Sequence, residues 1–332
     1  MKKVSEALLK KIARSFHTDE KALTYFGGGY DWSDGVLYEY QRDGHPCILK
    51  VMEMPAEHVE DITAALDARL NFVRFLGERG IGVVTPELSV EGTLYTEETE
   101  EGRIYISYTY YKQEGVHLFK TPWQVHDAYF VRWGEAMGKL HAAAKEYPVW
   151  YQLPEDPEGR ILGWKQEWNG FYDWCKDEEV KASWRKVKAK LDALPVDRSG
   201  FGFTHNDLHI ENMLFHEGNV TVLDFDVSNP LWFACDLAIA IYSIFTYAAQ
   251  GKLEHPPQDP ERLKSLYRAF IQGYQSSNHL ETFWYDQLET FLQYRRILLF
   301  VVLSGELSRN NPEHYQTWRK HILEETPFPA FQ

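Results

Sequence analysis

The first third of the chain alternates apolar and polar residues over short runs, as β-strands do. Val36–Tyr40 and Cys47–Val51 flank the turn residues Arg42–His45, a pattern that predicts a hairpin. Apolar residues then recur at helical spacing from Ala56 to Arg79, and Gly80 is suited to end that helix. The pattern therefore predicts a hairpin followed by one long helix.

Two more strands are predicted before the pattern changes. Gly92–Thr96 and Ile104–Tyr110 have strand character, and the acidic residues Glu97–Glu101 between them predict an exposed turn. Residues 24–112 therefore predict a small antiparallel sheet that carries one long helix.

Helical patterns dominate the rest of the chain. A long periodic helix is predicted from Trp123 to Tyr147, short strands within Phe203–Phe225, and four further helices within Leu231–Glu325. Helices that are segregated from a sheet, instead of alternating with strands, favour the α+β class. We therefore expect two domains, residues 1–112 and residues 113–332.

Composition excludes some classes of protein. The 332 residues include 35 basic and 49 acidic ones, so the net charge is 35 − 49 = −14. The hydrophobic fraction of 44% is too high for a disordered chain. An acidic excess is the reverse of what phosphate neutralisation needs, so we expect no nucleic-acid partner.

Neither export nor membrane insertion is indicated. Met1–Lys11 mixes lysines with leucines and predicts an amphipathic surface helix instead of a signal peptide. The most apolar segment, Leu231–Ala249, contains Asp236, which favours a buried helix over a membrane span. The cysteines are too widely spaced for a disulfide framework or a zinc site, so we expect reduced thiols and a cytoplasmic location. They are Cys47, Cys175 and Cys235.

The residues that carry chemistry lie between His205 and Asp226. The spacing is His-x-Asp, four residues, Asn, and then a strand, a tight turn and a strand that ends in Asp-Phe-Asp. Phosphoryl transfer from a nucleotide needs one carboxylate to orient the attacking hydroxyl, and an amide oxygen and a second carboxylate to hold Mg²⁺. Asp207 fits the first role, and Asn212 and Asp224 fit the second.

These residues resemble a known family. His205–Asn212 is H-N-D-L-H-I-E-N, Leu223–Phe225 is L-D-F, and Asp236–Ala238 is D-L-A. The stretch is similar to the catalytic loop of protein kinases, H-R-D-x-x-x-x-N followed by D-F-G. It resembles more closely that of the aminoglycoside phosphotransferase, choline kinase and type II homoserine kinase group, which typically has H-G-D-x-H-x-x-N and then I-D-F or I-D-W. The resemblance implies a protein-kinase-like bilobal fold, with an N-terminal antiparallel sheet lobe and a larger, mainly helical C-terminal lobe. It also implies ATP or GTP with Mg²⁺, and transfer of the γ-phosphate to a hydroxyl of an aminoglycoside, amino alcohol, homoserine or sugar-like molecule.

The resemblance also assigns residues in the first third. Lys50 falls where the family has its phosphate-contacting lysine, and Gly28 and Gly29 fall in the loop that covers the phosphates. One departure concerns the long helix, where Arg69 stands at the usual position of a glutamate. Either a nearby acid of that helix pairs with Lys50, or that ion pair is absent.

Structural roles are expected for several other polar residues of the motif. The resemblance implies that His205 braces the loop, that His209 is a second structural histidine, and that Asp236 hydrogen-bonds the loop backbone. Asp226 replaces the glycine of D-F-G, and either a contact with a second metal or the acceptor, or a capping role, is open to it.

Residues 146–200, together with the C-terminal helices, are expected to form the acceptor pocket. Aromatic faces among carboxylates suit a cationic acceptor. The alternative is that the tryptophans pack in the core and the acids form a solvated surface. The residues concerned are Trp150, Trp164, Trp168, Trp174 and Trp184, and the acids Glu155, Asp156, Glu158, Glu167, Asp173, Asp177, Glu178 and Glu179.

Two functions other than that of an active kinase are compatible with parts of the motif. His205 and Asp207 are also the first half of a two-histidine, one-carboxylate iron site, as in non-haem iron oxygenases, but Asn212 and the strand before Asp226 then have no role. A catalytically impaired kinase-like protein would bind the nucleotide without turnover. A requirement for iron would indicate the oxygenase, and nucleotide binding without turnover would indicate the impaired kinase-like protein.

Overall fold

The computed structural model describes residues 4–29, 35–54, 59–123, 126–148, 163–249 and 260–329. The chain divides into two compact units, Met1–Glu114 and Gly115–Gln332.

The first unit is built on an antiparallel sheet. Its helices and strands are α1 (Glu6–Ser15), β1 (Thr24–Gly28), β2 (Val36–Arg42), β3 (His45–Met54), α2 (Val59–Glu78), β4 (Pro86–Glu87), β5 (Thr96–Glu100) and β6 (Arg103–Tyr111). The strand order is β1-β2-β3-β6-β4, with β5 also paired to β6, and every pair is antiparallel. The predicted antiparallel sheet with one long helix is confirmed.

The predicted hairpin joins β2 to β3 through a two-residue turn. Arg42 pairs with His45, and Asp43 and Gly44 between them have φ of 51° and 80°. Two successive left-handed residues match the twist of an antiparallel pair, and Asp and Gly adopt that conformation at low cost. The turn sets the register of β3, which places Lys50 in the middle of the sheet.

The prediction of a turn at Glu97–Glu101 is wrong. Thr96–Glu100 form the edge strand β5, and only Glu101 and Gly102 turn, with φ of 50° and 77°. Of the strand predicted at Gly92–Thr96, only Thr96 belongs to β5. The residues of β5 alternate between partly exposed and exposed. An edge strand that buries neither face can keep its carboxylates in water, so acidity did not exclude a strand here.

Apolar side chains cover both faces of this sheet. Leu8 of α1 belongs to one cluster with Leu49 of β3, and Leu66 of α2 belongs to another with Met52 of β3. Because side chains alternate along a strand, Lys50 lies on the Met52 face. The amphipathic helix predicted at the start of the chain is α1, confirmed by its buried face.

Gly80 ends α2 as predicted. Its φ is 71°, its N–H donates to the Gly77 carbonyl at 2.9 Å, and the N–H of Ile81 donates to the Leu76 carbonyl at 3.2 Å. These two bonds form a Schellman motif, in which glycine takes the left-handed position without a steric penalty. The predicted helix start at Ala56 lies outside the described residues.

The second unit is mainly helical. It contains α3 (Ala128–Glu146), α4 (Trp164–Trp174), α5 (Glu178–Asp192), β7 (Phe201–Thr204), β8 (Met213–His216), β9 (Asn219–Val222), β10 (Asn229–Trp232), α6 (Phe233–Ala249), α7 (Pro260–Ser277), α8 (Thr282–Asp286), α9 (Leu288–Asn310) and α10 (Pro312–Leu323). The helix predicted from Trp123 begins only at Ala128. Five helices, instead of the predicted four, follow β10 in the described part of the chain.

Glycines allow α3 and α7 to pack closely. A Cβ on Gly134 would lie 1.9 Å from the Phe270 carbonyl oxygen, and a Cβ on Gly273 would lie 1.9 Å from that of Val131. Real Cβ atoms do not approach so closely, so both positions require glycine for this helix spacing. The pair fixes α3, whose inner residue His141 supports the loop described below.

The apolar segment around Asp236 is confirmed as a buried helix. The residues of α6 from Phe233 to Phe245 are buried. None of the helices that the structure describes is long and apolar enough to cross a membrane. All three cysteines are buried and unpaired.

Candidate active site

The motif forms a loop that leads into a hairpin. The loop His205–Asn212 connects β7 to β8, and β8 and β9 join through Glu217 and Gly218, whose φ values are 47° and 80°. The N–H of Leu223, after β9, donates to the Asn212 carbonyl at 3.0 Å. The predicted hairpin is therefore present, and it brings the end of the loop beside the residue that precedes Asp224.

Asp236 holds the start of this loop. It is fully buried in the first turn of α6, and its carboxylate accepts the backbone N–H of His205 at 2.8 Å and that of Asn206 at 2.7 Å. Nε2 of His141 lies 3.0 Å from the same carboxylate, and Nδ1 of His141 lies 2.9 Å from the Tyr274 hydroxyl. The expected contact of Asp236 with the loop backbone is confirmed, and α3 and α7 support it.

His205 braces the loop through both ring nitrogens. Nε2 lies 2.7 Å from the Leu223 carbonyl oxygen, and Nδ1 accepts the N–H of Asp207 at 3.2 Å. A carbonyl can only accept, so Nε2 carries the proton. Burial lowers the pKa of His205, which favours this neutral form. The predicted bracing role fits these bonds, and they occupy the nitrogens that an iron site would need.

Asn206 stands where the family motif has glycine, and it adopts a glycine-like backbone. Its φ is 64°, a left-handed conformation that asparagine tolerates better than most residues. Its side-chain amide donates to Glu167 of α4 at 2.5 Å and to the Val227 carbonyl at 3.0 Å. Glu167 also accepts the Tyr294 hydroxyl of α9 at 2.8 Å, and burial raises the pKa of its carboxyl.

The electrostatic setting of Asp207 involves a residue that the sequence analysis missed. Nη2 of Arg295, in α9, lies 2.5 Å from one carboxylate oxygen of Asp207, and Nε2 of His209 lies 3.5 Å from the other. Burial opposes ionisation of Asp207, but the Arg295 guanidinium and His209 outweigh it and hold the pKa of this carboxyl far below its usual range. Asp207 is therefore a carboxylate at neutral pH, able to accept a hydrogen bond from a hydroxyl.

Asn212 and Asp224 offer oxygen donors of the kind that Mg²⁺ prefers. The side-chain N–H of Asn212 donates to the Asp207 carbonyl at 3.0 Å, which leaves the amide oxygen for a different partner. Asp224 is exposed, and its φ of 58° is a strained conformation of the kind found at functional sites. The donor set suits a nucleotide-bound Mg²⁺, whose remaining ligands would be phosphate oxygens and water. Within the described residues, no cluster of three or more His, Cys, Asp or Glu side chains assembles into a metal site.

The candidate residues of the first unit lie in its sheet. Lys50 is 8% exposed, at the centre of β3, and is therefore not a solvated edge charge. Gly28 and Gly29 both have φ of 76°, and a Cβ on Gly28 would lie 2.2 Å from the Gly35 carbonyl oxygen. The close approach of these two backbone segments requires glycine at position 28. Arg69 lies on α2.

A cavity of about 190 Å³ adjoins Asp207. Three elements and the loop line it: α6 through Ile239, Tyr242, Ser243 and Thr246, α9 through Arg295, Leu299 and Leu303, α10 through Trp318, and the loop through Asp207 and His209. We call it the acceptor-side cavity. It opens against the carboxylate that the motif assigns to the attacking hydroxyl.

The tryptophans that the structure describes within residues 146–200 do not line this cavity. Trp164, Trp168 and Trp184 are buried in aromatic packing, with Trp168 and Trp184 at 4.6 Å between ring centroids, and Trp174 is 62% exposed. Among the described residues, packing and surface exposure account for these side chains. Trp150, Glu155, Asp156 and Glu158 lie outside the described residues.

Comparison with known proteins agrees with this geometry. Residues 38–282 match the phosphotransferase enzyme family. The structure is similar to that of the amicoumacin kinase hAmiN solved in complex with AMP-PNP, Ca²⁺ and Ami, with a TM-score of 0.81, 23% identity, and coverage of 98% of this chain and 95% of that one. No curated protein matches the sequence.

Two further solved structures share the fold. One is a microcompartment-associated aminopropanol kinase, with a TM-score of 0.66, 16% identity and coverage of 90% and 88% of the two chains. The other is a spectinomycin phosphotransferase in complex with ADP and spectinomycin, with a TM-score of 0.56, 16% identity and coverage of 100% and 98%. The fold is thus α+β and protein-kinase-like, as predicted, and the protein is a small-molecule kinase. The chain belongs to the phosphotransferase enzyme family.

Proposed function

We propose that this enzyme transfers the γ-phosphate of ATP, bound with Mg²⁺, to a hydroxyl group of a small molecule held in the acceptor-side cavity. The observation that carries the proposal is the state of Asp207. The carboxylate is held ionised by Arg295 and His209, on a loop fixed by Asp236, at the wall of a cavity. A fixed anion at this point orients a hydroxyl for attack without reorganisation.

The other candidate residues have the following proposed roles. Asn212 and Asp224 hold Mg²⁺, which when bound neutralises charge on the phosphates. Lys50 contacts the phosphates, and Gly28 and Gly29 let backbone approach them. In this scheme the residues before 113 serve the nucleotide and the later ones serve catalysis and the acceptor. Two of the similar solved structures support nucleotide binding, since they are complexes with AMP-PNP and with ADP. An assay that measures both ADP and GDP formation tests whether GTP can replace ATP as the phosphate donor.

Two alternatives are less well supported. An impaired kinase-like protein would be expected to lack one of Asp207, Asn212 and Asp224, and all three are present. An iron oxygenase would need His205 as a ligand, whereas both of its nitrogens are bonded within the loop. The need for ATP and the three unpaired cysteines support a cytoplasmic site of action.

The test is an assay of ADP and GDP formation with the purified enzyme, Mg²⁺ and a panel of hydroxyl acceptors. The panel contains aminoglycosides, amicoumacin-type and spectinomycin-type antibiotics, aminopropanol, choline, ethanolamine, homoserine and sugars. We expect nucleotide consumption that needs both an acceptor and Mg²⁺, together with a new phosphate-ester signal by phosphorus NMR. Nucleotide binding without any acceptor-dependent turnover would favour the impaired kinase, and a requirement for iron would favour the oxygenase.

A further inference from the structure

The walls of the acceptor-side cavity are mainly apolar. Ile239, Leu299, Leu303 and the ring of Trp318 contribute hydrocarbon surface from three helices. Its volume, about 190 Å³, is closer to a cavity that holds one benzene ring, about 150 Å³, than to the roughly 300–1,000 Å³ of pockets for drug-sized ligands. The cavity therefore suits a small alcohol, or the hydroxyl-bearing end of a larger one.

The described residues of the cavity wall offer little net negative charge to a cation. Asp207 is the one carboxylate among them, and Arg295 already neutralises it. The alcohol side chains Ser243 and Thr246 are neutral. A polyamine would bring positive charge beside the Arg295 guanidinium, and the part of the wall that the structure describes has no second carboxylate to receive it. Like charges at short range repel.

Two lining residues carry N–H groups that have no hydrogen-bond partner in the described part of the chain. These are Nε of Arg295 and Nε1 of Trp318, and both atoms are buried. Buried donors are normally satisfied, and an exception next to a cavity points to a ligand group that completes the bond. Indole N–H groups without a partner among the described residues also occur at Trp123, Trp133 and Trp184, so the Nε–H of Arg295 is the more informative of the two donors.

We propose that the acceptor is a small, largely apolar hydroxy compound with a carbonyl oxygen near its hydroxyl, as a carboxylate or an amide, and that Arg295 and Trp318 donate to this oxygen. The inference rests on the proposed function and specifies its substrate class. The guanidinium of Arg295 then has two tasks: one N–H holds Asp207, and Nε–H recognises the acceptor. A planar group with several fixed donors is suited to both.

The test uses three alcohols with one carbon skeleton: 3-hydroxybutyrate, 3-hydroxybutanamide and 4-amino-2-butanol. Binding is measured by ligand-observed NMR with the full chain at millimolar ligand, and phosphoryl transfer by ADP formation with ATP and Mg²⁺. We expect the two compounds with a carbonyl oxygen, the acid and the amide, to bind at least about 10-fold more tightly than the amine. The amine lacks the oxygen that accepts from the charged donor, and the loss of one such bond implies a difference of this size. Comparison of the acid with the amide shows which oxygen is preferred.

Matched variants assign the contacts. Arg295→Lys keeps the charge beside Asp207 but removes the Nε–H. It should lower the affinity for the acid and the amide about 10- to 100-fold, with little change in the affinity for the amine. Trp318→Phe keeps the ring and should lower the affinity for the acid and the amide about 3- to 10-fold. Trp133→Phe removes another unpartnered indole N–H, in the packing of α3 against α7, and should change neither affinity. Thermal unfolding verifies that each variant is folded.

The outcomes separate this inference from the proposed function. The inference would be overturned if the amine binds more tightly than the acid and the amide, or if neither the acid nor the amide binds. Equal effects of Trp318→Phe and Trp133→Phe on affinity would also overturn it. Turnover of another acceptor would in that case leave the kinase function standing. If the hydroxy acid or amide binds as expected but no acceptor of the panel is phosphorylated, the inference on binding stands and the proposed function fails.

Discussion

On one side of Asp207, the backbone N–H groups of His205 and Asn206 both reach the buried carboxylate of Asp236. On the other side, Nε of Arg295 is buried without a partner among the described residues. The loop and the cavity wall meet at Asp207. The backbone donors on the loop side have hydrogen-bond partners, whereas Nε of Arg295 on the cavity side has none among the described residues. Groups that position the loop are satisfied within the protein, whereas this donor of a residue in the cavity wall is not.

The comparison separates stability from recognition. Substitutions on the loop side should lower both the free energy of unfolding and turnover, because they leave buried polar groups without partners. Substitutions on the cavity side should alter acceptor affinity more than stability. Asp207 stands at the boundary, because its substitution removes the group that faces the hydroxyl and also leaves the Arg295 guanidinium without its carboxylate partner, so it should lower both turnover and stability.

The largest effect is expected for Asp207→Ala. Loss of a positioned general base typically costs about 100- to 10,000-fold in kcat, which is about 2.7–5.4 kcal/mol of transition-state stabilisation. Affinity for Mg²⁺-ATP, measured by calorimetry, should stay nearly unchanged, because Asn212 and Asp224 remain. Asp192→Asn removes an exposed carboxylate of α5 and serves as the control. Turnover at the wild-type rate in Asp207→Ala would contradict its role.

The next effect is expected for Asp236→Asn, on the saturated side of the comparison. The carboxylate accepts bonds from two backbone N–H groups and lies 3.0 Å from Nε2 of His141, and an amide would turn an N–H toward one of these donors. We expect the free energy of unfolding in urea to fall by about 3 kcal/mol or more. Glu261→Gln, at the exposed start of α7, should change it by less than about 0.5 kcal/mol. Similar changes in the two variants would show that the contacts of Asp236 contribute little to the free energy of unfolding.

Local chemistry explains what the sequence could predict. The turns at Asp43-Gly44 and Glu217-Gly218 and the helix stop at Gly80 depend on residues next to one another, and all three were predicted. The acidic strand β5 was missed because its pairing with β6, and not its composition, makes it a strand.

The partners of the catalytic loop lie far away in sequence. Arg295 is 88 residues from Asp207, and Glu167 is 39 residues from Asn206. Neither carries a local motif, because an arginine or a glutamate on a helix is most often a solvated charge. Asn206 is the exception, since an asparagine at a glycine position of the motif indicates a side chain that makes contacts of its own. The loop and its contact with Asp236 of α6 were therefore predictable, and its contacts with α4 and α9 were not.

The smallest effect distinguishes the two tasks of Asn206. Asn206→Gly keeps the left-handed backbone and removes the bonds to Glu167 and the Val227 carbonyl, so unfolding should become easier by about 1–3 kcal/mol. Asn206→Ala also places a Cβ residue at φ 64°, which should cost about 1 kcal/mol more than glycine. Urea denaturation of both variants measures the difference. Glu217→Ala, at the left-handed and exposed tip of the β8–β9 hairpin, should be nearly neutral. If glycine and alanine at position 206 are equally destabilising, the backbone contributes nothing, and the whole effect belongs to the side chain that joins the loop to α4.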